Sequence, residues 1–142
     1  MVLNNYRNFS CGKVNMTGFV TTTISGLAQN HSYSDGGALT VNAKFLVGTG
    51  TTPVTATDYA LANEVQLKQI TATSGSLSYD SVNKLNKETF SCIYENNTGA
   101  TVSISEYGLM STPISALLTR EVLENPIILE DGDTITLTAV LA

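Results

Sequence analysis

Between Leu39 and Val47 the chain reads LTVNAKFLV, which puts Leu39, Val41, Ala43, Phe45 and Val47 on one side of an extended backbone and Thr40, Asn42, Lys44 and Leu46 on the other. A period of two predicts a half-buried strand, with the first set facing a core. A looser alternation through Val14, Met16, Gly18, Val20, Thr22 and Ile24 predicts an earlier strand. The polar stretch AQNHSYSDGG between them predicts an exposed loop ending at Gly36-Gly37. Further on, Phe90, Cys92 and Tyr94 share one face of a strand, which makes Cys92 a small buried hydrophobe. Ile135, Leu137, Ala139 and Leu141 line one face of the last strand, with Thr134, Thr136 and Thr138 on the other.

Turn residues divide this C-terminal half. Asn96-Asn97-Thr98-Gly99 separates two alternating segments and Asp131-Gly132 separates two more. Both predict β-hairpins, because Asn and Gly accept the positive φ of a tight turn. Helical signal is confined to a short turn starting at Thr57, with Asp58 near its positive end, and to TPISALLTREVLEN. The latter has helical spacing, but Pro126 and its neighbours favour a strand. Many short strands with closely spaced turns predict a single antiparallel β-sandwich or jelly-roll-like domain with C-terminal β-hairpins.

The stretch GTGTTP at 48–53 starts like a phosphate-binding loop, but no lysine follows and the pattern ends at Pro53. It reads instead as a corner between strands, from which Tyr59 and Leu61 fold back on the core.

With 142 residues the chain is long enough to bury a core without staples. Charged residues make up only 13% of it, and Thr, Ser, Asn and Gly take their place. Such a surface is inexpensive to cover with another copy, since no ion has to be desolvated. Seven basic residues scattered among twelve acidic ones argue against nucleic acid and anionic membranes as partners. No apolar run is long enough for a membrane helix, and the polar N-terminus lacks a signal-peptide core, so synthesis in a cytoplasm is the expectation.

Candidate chemistry is thin. Cys11 and Cys92 with the single His31 do not form a zinc pattern, and a disulfide between the cysteines is disfavoured in a cytoplasm. A triad would have to gather Ser32, Ser34 and Asp35 around His31, whereas triad members ordinarily converge from separate segments. Asp131 and Asp133 could offer calcium two carboxylates, but the further ligands of a calcium loop are missing and the turn accounts for both. Sequons at Asn8, Asn15, Asn30 and Asn96 matter only in a secretory pathway. The expectation is a non-enzyme without metal or cofactor. If it were a carbohydrate-binding module, Tyr33, Tyr59 and Tyr79 would be the rings to stack on sugars.

LVGTGTTPVTATDYALANEV (46–65), FSCIYENNTGATVSISEYGLM (90–110), LLTREVL (117–123) and NPIILEDGDTITLTAVLA (125–142) together resemble small β-rich virion proteins of tailed bacteriophages. Shared features are the Gly-Thr-Gly turn, the Asp-Tyr-x-Leu segment, the Glu-x-Gly-Leu element at Glu106, Gly108 and Leu109, and the closing Asp-Gly turn. The likeness extends from Leu39 to the C-terminus; the first 37 residues have no counterpart in it. It implies a structural part of a virion assembled in the host cytoplasm, foremost a head decoration or auxiliary protein on the major capsid protein. By the same analogy it implies a homo-oligomer, a trimer in the first instance. A tail, neck or fibre component is the alternative. Residues 1–13 are then expected to be an arm separate from a domain at 14–142. Tyr6, Arg7, Phe9 and Lys13 would dock it on the capsid or on a neighbouring copy, and its removal would leave the melting temperature nearly unchanged.

Overall fold

The computed structural model describes residues 1–6, 19–31, 43–112 and 114–141. Among these described residues ten strands follow in chain order: β1 Phe19–Thr22, β2 Ala28–His31, β3 Ala43–Gly48, β4 Glu64–Val65, β5 Lys68–Gln69, β6 Ser74–Asp80, β7 Leu85–Glu95, β8 Val102–Ser111, β9 Ala116–Leu129 and β10 Thr134–Leu141. Apart from the small β1-β2 hairpin they form two four-stranded sheets. The first has the order β4-β3-β8-β9; in the second, β7 is central, with β10 on one side and β5 and β6 in succession on the other. All the pairings are antiparallel. The chain is an all-β sandwich, as its alternation predicts.

The core lies between the sheets. Phe45, Val47, Ile104, Leu109, Leu118 and Leu129 of the first sheet meet Phe90, Cys92, Tyr94, Ile135, Leu137, Ala139 and Leu141 of the second. The strict alternation of β10 survives intact, with Ile135, Leu137, Ala139 and Leu141 buried and the three Thr positions and Val140 exposed. Cys92 is buried as expected, and burial pushes its thiol up to about 11, so it is protonated at neutral pH. The Tyr94 hydroxyl crosses the core to donate to the Phe45 carbonyl at 2.8 Å.

Both predicted C-terminal hairpins are instead arches from one sheet to the other. β7 pairs with β10, and β8 pairs with β9; β7 and β8 are not paired with each other, nor are β9 and β10. The reversals occur where Asn96–Gly99 and Asp131-Gly132 place them, with φ of 78° at Gly99 and 91° at Gly132. Turn chemistry specifies that the chain reverses, not which sheet receives it. The apolar faces of β7 and β8 decide that, because each finds more cover across the roughly 10 Å gap of a sandwich than side by side. The two arches also hold each other: Asn96 N donates to Asp133 O at 2.8 Å, and Gly132 N to Asn96 O at 2.7 Å.

Other expectations change in detail. Of TPISALLTREVLEN, residues 116–125 are strand, within β9, while Ile114 and Ser115 lie in the turn before it; the register breaks between Ile104/Ile127 and Glu106/Val122, where Pro126, which has no N–H to give, sits without loss. AQNH is not loop but β2, returned on β1 by a turn in which Gly26 has φ 86°. No helix starts at Thr57: Asp58 folds back to accept from Thr55 N at 3.0 Å, closing a turn. Leu61 is buried, though in a second cluster outside the core between the sheets, and Tyr59 stays exposed beside Gly26. Leu46, expected on the solvent side, is buried, while Leu39 and Val41 lie outside the described residues.

Candidate functional site

The fate of Leu46 shows what the loop after β3 is for. The outer face of the β4-β3-β8-β9 sheet carries a second apolar cluster of Leu3, Leu46, Leu61, Met110 and Leu117, with Ile24 and Val54 against it. The N-terminal residues and the 49–63 loop supply its cover. A buried ionic group holds that loop down. Glu106 on β8 accepts from Gly50 N at 3.2 Å, Ala62 N at 3.0 Å and Asn63 N at 2.7 Å. Arg120 on β9 donates to Glu106 at 2.9 Å, to Asp58 at 2.6 Å and to the Thr52 carbonyl at 3.0 Å.

Burial opposes ionisation of Glu106, but the Asn63 and Ala62 N–H groups and the Arg120 guanidinium outweigh it and hold the carboxyl below its ordinary value. Asp58 is likewise lowered: burial opposes, and Thr55 and Arg120 prevail. The Gly-Thr-Gly signature follows from this packing. A Cβ at Gly48 would lie 2.5 Å from Asn63 O and 2.7 Å from the Glu106 carboxylate, and one at Gly50 would overlap the same carboxylate. With Arg120 only 2% exposed and Glu106 fully buried, this group is a brace and presents no face to a substrate.

Three other polar side chains that the sequence singles out, Asp131, Asp133 and Asn96, are also occupied within the fold. Asp131 accepts from Gly99 N at 2.8 Å and Asp133 from Glu130 N at 2.9 Å, so both carboxylates pin arches. Asn96, fully buried, donates to Ala100 O at 2.7 Å and Leu129 O at 2.9 Å, which leaves its sequon closed to a glycan. Asn30 lies on β2, and Asn8 and Asn15 are outside the described residues. His31 ends β2, whereas Ser32, Ser34, Asp35, Tyr33 and Cys11 are outside the described residues. Of the docking residues expected in an arm, Arg7, Phe9 and Lys13 are also outside them.

Tyr6 is described, and it packs half-buried against the main core. The five residues before it are built into the sandwich. Leu3 N donates to Leu118 O at 2.9 Å, Arg120 N to Met1 O at 3.0 Å, and Val2 bridges Thr119. Asn5 joins Thr22 to Leu117 through bonds of 2.7 to 3.0 Å. Leu3, fully buried, is the physical reason that this stretch holds to the domain. Neither the Leu3 contact nor the Glu106-Arg120 brace follows from the alternation; the signals the sequence does carry are the apolar Met1-Val2-Leu3 ahead of a polar stretch and an acid four residues before Met110.

What remains open is surface. Among the described residues β10 has no strand on its outer side; it carries no charge, and exposes Thr134, Thr136, Thr138 and Val140. Between it and β9 runs an open groove of about 270 Å³, lined by Ile104, Tyr107, Leu123, Ile127, Ile135 and Leu137. On the other side of β7, the β6-β7 hairpin exposes Leu77 at 80%, Tyr79 at 62% and Val82 at 87%. Tyr59 and Tyr79, the described rings of the carbohydrate reading, are on different elements, one in the braced loop and one on this hairpin. Comparison with known proteins finds no matching family model, no similar curated protein and no similar solved structure. The described residues contain no helix long and apolar enough to cross a membrane.

Proposed function

We propose that this chain is a non-catalytic structural protein of a bacteriophage virion, foremost a capsid decoration or auxiliary protein that acts through contacts with its own copies and with the major capsid protein. The observation that carries the reading is the uncharged open margin of the sandwich: a charge-free β10 edge, unpaired among the described residues, beside an apolar groove. Monomeric β-proteins blunt such edges with charge, proline or cover, because unpaired backbone groups template another chain. Here β9 receives those devices, in the Met1–Leu3 cover, Glu121, Glu124 and Pro126, while among the described residues β10 receives none. The phage context rests on the sequence resemblance. The scarcity of charge supports the assembly part of the reading, since two such surfaces meet without desolvating ions.

The test is recruitment to particles. Capsids stripped of decoration proteins should bind the purified chain at a fixed stoichiometry, and cryo-electron microscopy of the virion should place its sandwich on the head. Density on the tail, neck or fibre would replace decoration with that role, and absence from the particle would sink the virion reading. Exposure of Tyr59 and Tyr79 favours a second reading, a carbohydrate-binding module for host surface glycans. Saturable binding on a glycan array, lost in Tyr79→Ala, would establish it in place of the first.

A further inference from the structure

The groove and the exposed hairpin lie on opposite sides of β7, one at each margin of the same sheet. A Cβ at Gly75 would touch the Phe90 ring at 3.1 Å, so the Gly75 side of β6 faces the core layer. By strand alternation Leu77 and Tyr79 point the same way. Leu77 is level with the last described residue of β10, and Tyr79 lies beyond it. β10 accompanies β7 only as far as Glu88, opposite Leu141, and the hairpin continues through Lys87, Asn86 and Leu85 to its turn, about 10 Å farther at the rise of a strand. Nothing among the described residues covers its inner face.

We infer that the β6-β7 hairpin of one copy docks into the β9-β10 groove of the next, a head-to-tail contact through which copies of this chain close into a ring. The inference rests on the self-assembly part of the function proposed above. Three features select a second copy as occupant. The hairpin exposes Leu77, Tyr79 and Val82, while the groove is a depression that no charged side chain lines. The hairpin turn carries Lys84, whereas the strand beside the groove carries the exposed Glu124, so the rims have opposite charge. The hairpin is also tied to β7 on the side away from β10, which keeps it from the groove of its own copy. Because the two surfaces differ, the contact is heterologous, and rotation that closes yields a ring rather than a two-fold dimer.

A mixing experiment in sedimentation velocity tests this. The wild-type chain should assemble. Leu77→Ser/Tyr79→Ser removes the knob and Ile127→Glu blocks the groove, and each alone should raise the concentration needed for assembly at least tenfold. Mixed in equal amounts, the two variants should form a one-to-one heterodimer, because an intact knob from one meets an intact groove from the other. Circular-dichroism melts check folding, and Thr136→Lys takes the place of Ile127→Glu should the latter fail to fold.

Four outcomes would overturn the inference. Assembly could survive both changes, or each could block it without the mixture yielding a heterodimer, which is the signature of a two-fold contact. The wild-type chain could remain monomeric at millimolar concentration. Leu77→Ser/Tyr79→Ser could lower the melting temperature of a monomer by several degrees, which would place the occupant within the same chain. Particle binding by a chain that is monomeric in solution would sink this interface and leave the virion reading standing.

Discussion

On the outer side of the β4-β3-β8-β9 sheet, Leu46, Met110 and Leu117 lie under the N-terminal residues and the braced 49–63 loop; on the outer side of β10, Thr134, Thr136 and Thr138 stand in solvent. The strands are of one kind and the pairing is antiparallel in both sheets, so the difference comes from what covers them. The covered sheet is buried on two faces and has to secure its cover, which it does with Glu106, Arg120 and Asp58. Its free margin on β9 is partly closed by the same N-terminal residues. The uncovered sheet keeps the alternation of a one-sided sheet and leaves its β10 edge and its hairpin available. One sheet is thus committed to the monomer, and the other presents the surfaces assigned above to contacts between copies.

The strongest way to break this contrast is to cut the brace. Replacing Arg120 with Ala leaves Glu106 buried without its cation and frees Thr52 O and Asp58 from the guanidinium. The expected loss is about 3–5 kcal/mol, the range for a buried ion pair stripped of one partner. Urea unfolding measures it, and hydrogen exchange should show residues 49–63 opening ahead of β7 and β10. A loss below about 1 kcal/mol would mean that the loop stays in place without the ions.

The second covered feature is apolar. Leu46→Ala should cost about 2–5 kcal/mol, in the same range as a buried leucine in a main core. An exposed leucine on the open side of a one-sided sheet would lose almost nothing, so a small effect would return Leu46 to solvent. Removing residues 1–6 uncovers the same face and deletes the buried Leu3, and the melting temperature should fall rather than hold. An unchanged melting temperature would restore the separate arm.

Acid sharpens the comparison more gently. Glu106 and Asp58 both have folded pKa values below the ordinary 4.5 and 3.8, so the unfolded chain binds more protons in that range. Their contribution is complete above about pH 4.5 and is lost as pH falls through the depressed folded values. A urea series from pH 6 to pH 2 should therefore show stability declining below about pH 4.5. Glu106→Gln should flatten the decline; an equally steep one would assign the acid sensitivity to other carboxylates.

Legibility in the sequence follows the same divide. β10 was readable residue by residue, because a strand with one dry face writes a period of two. Phe45-Leu46-Val47 was misread at Leu46, since a strand covered on both sides loses that period and its neighbours in sequence do not reveal the cover. The turns at Asn96–Gly99 and Asp131-Gly132 were found, but their partners were not, because strand pairing is settled by contacts far apart in sequence. The brace was hidden for the same reason: Glu106, Arg120 and Asp58 come from β8, β9 and a loop, and each alone looks like a surface charge in a polar chain. Gly48 and Gly50 gave the one local hint, a backbone that must come close to something. The exposed margins were legible only as a scarcity of charge.

The smallest expected effect closes the contrast from the other side. Thr138 is exposed on β10, opposite Ser91 on β7, and the described residues make no other demand on its hydroxyl. Thr138→Ala removes a β-branched side chain from a pleated surface but opens no cavity, so the monomer should lose no more than about 0.5 kcal/mol in urea unfolding. The same substitution enlarges the mouth of the β9-β10 groove, which Thr138 helps to line. A chain that keeps its stability while its assembly constant shifts would separate the surface that serves the fold from the surface that serves the neighbour. A loss of 2 kcal/mol or more in the isolated monomer would instead place Thr138 under cover and make the two sheets alike.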